Sequence, residues 1–253
     1  MRIVDIFKHR VARFADSLGA RLLRPDGAVL SIAYVLPPPA DFASSVVASF
    51  VAGATATQAG TTVTVSAAAH AIPASKNGCK IYYPGSPSIP SGWYTGLTWV
   101  DVNTIRFQRD AAATVSSESV NAGAAFTGVF VKAASVAIPG GAIGINGRIK
   151  VNLMRTGDTA SGIKSVRLLI AGVYACLATG TTFPCGTASM TIWNRNSSSS
   201  QITVASNDGN TGSSFQQLSI DTGADFVVDL ALSVTNPSQW VALDAFDVEI
   251  VRS

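Results

Sequence analysis

Charged side chains are scarce in this 253-residue chain: Asp, Glu, Lys and Arg make up 13%, about half of the roughly 25% usual in soluble domains. Apolar residues stand at an ordinary 47%, so disorder through charge excess is excluded. Long apolar runs are missing as well. No stretch approaches the roughly 20 consecutive apolar residues that a spanning helix needs, and no membrane insertion is expected. Histidine is nearly absent, with His9 and His70 alone. Cys79, Cys176 and Cys185 match no zinc spacing. Their odd number and the lack of a continuous apolar leader in MRIVDIFKHRVARFADSLGA favour free thiols, although Cys176 and Cys185 could close a short loop.

The positive charge is concentrated at one end. Residues 1–24 hold six basic side chains against Asp5 and Asp16, whereas the rest of the chain holds twelve basic and thirteen acidic ones. A nucleic-acid binder needs a basic stripe on its folded body, so nucleic acid is not an expected partner. The basic segment has helical periodicity. Val4, Phe7, Val11, Phe14 and Leu18 recur at steps of three and four, the spacing of one apolar stripe. Pro25-Asp26-Gly27 ends it with turn chemistry. The stripe is too short for an independent coiled coil. It reads either as an attachment helix that buries its Phe/Val face in a partner or as a helix that packs on its own domain.

Leu36-Pro37-Pro38-Pro39 predicts a stiff extended spacer over residues 36–41. Every pattern beyond it is β. VVASFVAG, TTVTVSA, KIYYPG and GWYTGLTWVDVNTIRFQ are short runs rich in Val, Ile, Thr and aromatics, divided by Asn77-Gly78, Pro84-Gly85 and Ser91-Gly92. Asp101-Val102-Asn103 is the predicted tip of a hairpin between Leu97–Val100 and Thr104–Gln108. These runs predict a small β domain over 42–122, closed by the small, polar stretch 111–125, which reads as a linker or an exposed edge. Period-2 alternation then dominates. Ile149/Val151/Leu153, Val166/Leu168/Ile170, Phe226/Val228/Leu230/Leu232/Val234 and Phe246/Val248/Ile250 each mark one buried face of an antiparallel strand. About eight such strands, with turns at Pro139-Gly140-Gly141, Asn146-Gly147 and Asp208-Gly209, predict a jelly-roll sandwich over 123–253. The expected fold class is all-β, two modules preceded by an N-terminal amphipathic helix over 3–23 within an attachment segment over 1–35.

Catalytic chemistry finds little footing. His70 stands in SAAAHAIP without a G-x-S-x-G elbow. NDGNTG, 207–212, lacks the spaced acids of a calcium loop, and no phosphate-cradling Gly loop is present; no cofactor or metal is expected. Glycoside hydrolysis needs only two carboxylates about 5–10 Å apart, and Asp225, Asp229, Asp244, Asp247 and Glu249 are available. Most of these fall on the outward beat of regular strands, where solvation is the ordinary role. Trp93, Tyr94, Trp99, Trp193 and Trp240 could stack on sugar rings, or serve as core and interface residues. Trp193, beside the polar run NRNSSSSQ, is the one expected at the surface as a possible receptor contact.

The segment AAAHAIPASKNGCKIYYPGSPSIPSGWYTGLTWVDVNTIRFQRD, 67–110, resembles a small β module of tailed-bacteriophage virion proteins. Ser135-Val136-Ala137-Ile138-Pro139 through Gly147-Arg148-Ile149-Lys150-Val151, followed by Lys164-Ser165-Val166-Arg167-Leu168, is similar to the C-terminal jelly-roll domains of phage tail fibres and spikes. KSVRLLIAG departs from that pattern in keeping only Gly172 of the usual glycine pair. The resemblance covers about 67–253. It implies a homotrimer located in the virion, serving as a tail fibre, spike or baseplate appendage in assembly or host attachment, and no enzyme. Other virion proteins would be met through residues 1–35, and host surface polysaccharide is a further candidate partner. A capsid decoration or head-fibre protein is the structural alternative; a carbohydrate-active depolymerase is the enzymatic one. Charge depletion points separately to an oligomer, because obligate interfaces are apolar and charge-poor.

Overall fold

The structure, a computed structural model, describes residues 32–121, 128–181, 185–207 and 215–252. The stripe Val4, Phe7, Val11, Phe14 and Leu18 lies outside the described residues, as does the Asp208-Gly209 turn. Fifteen strands and one short 3-10 turn, Ala74–Lys76, make up the regular structure among them. The strands are β1 (Ile32–Leu36), β2 (Ser45–Ala48), β3 (Thr55–Ser66), β4 (Lys80–Tyr83), β5 (Gly92–Asp101), β6 (Thr104–Ser119), β7 (Val131–Ile138) and β8 (Arg148–Gly157). There follow β9 (Lys164–Ile170), β10 (Val173–Gly180), β11 (Gly186–Asn194), β12 (Gln201–Asn207), β13 (Phe215–Leu218), β14 (Phe226–Val234) and β15 (Trp240–Arg252).

They form two sheets. A four-stranded sheet runs β10-β9-β14-β7, and an eleven-stranded one runs β13-β12-β11-β8-β15-β2-β4-β5-β6-β3, with β1 also paired to β15. The first core lies between the small sheet and one face of the large one. Its members are the alternating residues of the sequence pattern: Ile149, Val151, Leu153, Val166, Leu168, Ile170, Phe226, Val228, Leu230, Leu232, Val234, Phe246, Val248 and Ile250 are all buried. A second core gathers Ile81, Tyr83, Leu97, Ile105, Phe107, Val63 and Val65.

The two cores occupy opposite faces of the same sheet. Along β2, Val46 and Ala48 belong to the second core and Val47 to the first. On β15, Trp240 and Ala242 face the second and Val241 and Leu243 the first. Successive side chains of a strand point to opposite faces, so these two strands are buried on both sides, and the period-2 signal disappears there. The two cores are separate but share one sheet, and each draws on both halves of the sequence, Val47 joining the first and Trp240 and Ala242 the second. β1 and β2 lie along the same edge of β15, pairing Leu36 with Val248 and Ser45 with Leu243. Residues 32–35, expected in the attachment segment, are thus a strand of the body. The proline spacer between β1 and β2 is a connection within one sheet, turned back where the Phe42 N–H donates to the Pro39 carbonyl at 2.8 Å.

Two buried ion pairs hold the connections. Lys164, fully buried at the start of β9, meets Asp158 at 2.8 Å and donates to the Thr181 carbonyl at 2.9 Å. Asp158 also accepts the Trp240 N–H at 2.7 Å, tying the β8–β9 loop to the start of β15. Lys76 and Asp244 meet at 2.5 Å with side-chain exposures of 9% and 12%. At the Asn146-Gly147 turn, a Cβ on Gly147 would run into the Ile143 and Val251 carbonyls, which accounts for the glycine.

Candidate functional site

The carboxylates weighed for hydrolysis are dispersed. Asp229 on β14 accepts from the Ser135 hydroxyl and lies 3.8 Å from Lys132. Asp247 accepts from the Asn152 amide at 2.9 Å, and Glu249 stands opposite Lys150 in the β15–β8 register. Asp225 caps the Pro139 turn by accepting the Gly140 N–H at 2.7 Å. Asp244 is a junction group. Burial works against its charge, but hydrogen bonds from Lys76, Thr156 and Ser44 together with the Lys76 charge prevail and hold its carboxyl below the usual range. Asp225, Asp229, Asp244 and Asp247 each accept a hydrogen bond within the fold.

His70 is buried, with Nε2 at 2.8 Å from the Asp101 carbonyl and Nδ1 accepting the Ile72 N–H at 3.2 Å. It braces the base of the β5–β6 hairpin, whose tip falls between Asp101 and Thr104 as expected. The three cysteines are free thiols; Cys176 is buried, Cys185 exposed and Cys79 half-buried. Among the described residues no group of three or more His, Cys, Asp or Glu could hold a metal ion, and no helix is long and apolar enough to cross a membrane.

Trp193 is not at the loop tip. It is half-buried on β11, flanked in register by Arg148 on β8 and Ile202 on β12. The strand runs on through Asn194, whose amide is pinned to the Gly144 carbonyl and the Thr222 hydroxyl. The polar run therefore begins only after Trp193 has been fixed in the sheet.

A surface cleft involves another tryptophan. Between β5 and the free edge of β7 lies a cleft of about 440 Å³ lined by Phe42, Trp93, Lys80, Asp41 and Lys132 among others. A second hollow of about 260 Å³ adjoins it beyond Trp93, between β5 and the diverging β6, bordered by Tyr94, Gln108, Arg109 and Asp110. The indole is fixed by an Nε1–H bond to the Lys132 carbonyl at 2.8 Å and by edge-on contact with Tyr82, ring centres 5.5 Å apart. Phe42, held edge-on against Phe246, forms part of the cleft wall. Lys80 donates to the Asp41 backbone carbonyl at 2.8 Å, and no hydrogen bond to the Asp41 carboxylate is found among the described residues. On β7 the register slips against Leu230/Ala231, leaving Ala133 as the extra residue of a bulge that opens into the cleft. Bulges re-aim side chains and backbone and are common beside sites.

Sequence reasoning noted Trp93 only as one aromatic among several. Its cleft partners Asp41, Lys80 and Lys132 come from separate stretches, brought together by the parallel β2–β4 pairing and by the approach of the small sheet. No local pattern announces that meeting.

These sheets and cores define a β-sandwich protein. The sequence matches no protein-family model and no curated protein sequence. Solved structures similar to it include the basic winged bean lectin with Tn-antigen, at 8% identity, TM-score 0.30, covering 87% of this chain and 98% of the lectin. The acidic winged bean lectin with methyl-α-D-galactose is 7% identical with a TM-score of 0.31, covering 88% of this chain and 100% of that one. Peanut lectin with a nine-residue peptide gives 7% and 0.28, covering 88% and 99%. Likeness at this level carries no functional inference.

Proposed function

We propose that this chain is a non-enzymatic structural protein of a bacteriophage virion, a fibre, spike or baseplate appendage built as a homotrimer and attached through residues 1–31. The observation that carries the reading is an unfinished sheet. β6 pairs with β5 only as far as Gln108, and beyond it pairs with β3 alone. From Arg109 to Ser117 no described strand occupies its other edge, and most of these residues are exposed.

Folded proteins guard such edges with Lys, Pro, inward charge or bulges. Ala111 to Ser117 carries none of the protective side chains. The register shifts against β3 leave the extra residues on β6, Ser116 and Ser117 facing one position of β3 and residues 109–112 facing another, so this edge is bulged yet uncharged from Ala111 to Ser117. An exposed edge without Lys, Pro or charge over Ala111–Ser117 favours occupation by a strand of a sister chain. The charge depletion of the body and the resemblance to tail-fibre modules support the same reading.

Two measurements test it. Sedimentation of the full chain is expected to give a species three times the 26.1 kDa chain mass, and a monomer refutes assembly. Antibody labelling of purified particles is expected to mark the tail or baseplate. Labelling of the capsid alone replaces the appendage by a decoration protein, and no labelling removes the virion reading.

A further inference from the structure

We propose that the cleft beside Trp93 is a binding site for a short neutral oligosaccharide. This deepens the reading of an appendage that touches a surface, and it rests on that reading for its biological setting but not for its chemistry. Three features of the cleft point to this ligand class.

The first is a platform that is already ordered. Trp93 is locked by the Lys132 carbonyl and by Tyr82, so stacking a ring on it costs little side-chain entropy. A pyranose offers the complementary surface: an apolar face of C–H groups with hydroxyls around its rim. Trp combines a large apolar body with a rigid geometry suited to that face.

The second is the polar rim. The Asp41 carboxylate is without an internal partner among the described residues, and the Lys132 ammonium is loosely held, its side chain 62% exposed and 3.8 Å from Asp229. The free edge of β7, bulged at Ala133, adds backbone groups on the same side. Hydroxyls need this mixture of donors and acceptors, few in number and aimed across an apolar floor.

The third is charge balance and length. Lys80, Lys132 and Arg109 are offset by Asp41, Asp110 and Asp229. Polyanions are bound by net positive grooves, so a nucleic acid or a heavily sulfated polymer gains nothing here. The volume of about 440 Å³ falls within the roughly 300–1,000 Å³ of small-molecule sites. The adjoining hollow shares Trp93 and Thr95 with the cleft and offers room for a further sugar ring.

The test is calorimetric titration of the full chain with defined tetrasaccharides of glucose (α- and β-linked), N-acetylglucosamine, galactose, mannose and rhamnose, with polyuridylate as the anionic comparison. At least one tetrasaccharide is expected to bind, without being cleaved. Trp93→Ala is expected to weaken it roughly tenfold or more, the loss of one stacking surface, while Trp93→Tyr retains part of the affinity and guards against a folding defect. Asp41→Ala and Asp110→Ala are expected to weaken it several-fold, and Trp193→Ala to leave it unchanged. Binding of no tetrasaccharide at millimolar concentration, binding of polyuridylate instead, or affinity that survives both Trp93 variants overturns the proposal. Sedimentation of the same samples keeps the outcomes apart: a trimer that binds no sugar loses the cleft and keeps the assembly, and a sugar-binding monomer does the reverse.

Discussion

Asp244 shows how one side chain serves both cores. It accepts from Lys76 beneath the second core, from Thr156 on β8 and from Ser44 before β2, while Lys76 lies 5.5 Å from the centre of the Trp240 ring. Removing one partner of such a buried pair strands the other charge, at a cost of about 3–5 kcal/mol. Asp244→Asn is expected to lower the guanidinium midpoint at pH 7 accordingly. Because the folded carboxyl is held below its ordinary value, its contribution is complete above the unfolded pKa of about 3.9 and is lost as pH falls through the lower folded value. Denaturation midpoints measured from pH 6 downward should therefore converge for wild type and Asp244→Asn under acid conditions. Parallel curves at every pH would exclude Asp244 as the titrating group.

Cysteine reactivity belongs to the same scale. Burial pushes the Cys176 thiol up to about 12, leaving almost no thiolate at neutral pH, and thiolate is the reactive form. Cys185 is exposed. A disulfide reagent applied to the native protein should label Cys185 fast and Cys176 only after unfolding; rapid labelling of Cys185→Ser protein at Cys176 contradicts the burial.

Among the elements, β15 is the one on which the others depend. Its thirteen residues pair with β8 along one edge and with β1 and β2 along the other. Its side chains enter both cores. Ile250, fully buried, should cost about 2–5 kcal/mol when cut to Ala. Because the cores share this strand, both should unfold in one transition. In an Ile250→Ala protein whose Trp93, Trp99 and Trp193 are replaced by Phe, Trp240 fluorescence and far-ultraviolet dichroism giving separate midpoints would show that the cores melt independently.

The elements also show what a sequence can reveal. Strands covered on one face carry their burial in their alternation, and β8, β9, β14 and most of β15 were readable for that reason. β2 is buried at all four positions and reads only as a short apolar run, so nothing in SVVA announces that it joins β15 to β4. The second half of β6 fails in the opposite way: Ala, Ser and Thr with both faces open give no period, and the stretch reads equally as a linker or an edge. Gln58 supplies the missing order there. Its amide donates to the Gly60 and Ala111 carbonyls at 2.8 and 2.7 Å and accepts from Arg109 at 2.8 Å, satisfying groups left unpaired where β6 bulges against β3. Trp193 was misplaced because its polar neighbours in sequence are not its neighbours in the sheet.

At the scale of the whole molecule, the question is what holds copies together. The body is nearly neutral, and the open edge of β6 runs through Ala111–Ser117 without a charge. Association through backbone pairing and small side chains is not an attraction between charged surfaces, so screening should leave it intact; salt at 1 M shortens the Debye length to about 3 Å. The sedimenting mass is expected to stay constant from low salt to 1 M. A Lys on an exposed edge is a device by which proteins prevent strand addition. Ala112 and Thr114 are exposed on one face of the edge, and Ala112→Lys with Thr114→Lys should release monomers whose thermal unfolding of each chain remains cooperative. If the double variant keeps the parental mass while salt alone dissociates it, the contacts between copies are electrostatic and lie elsewhere on the body.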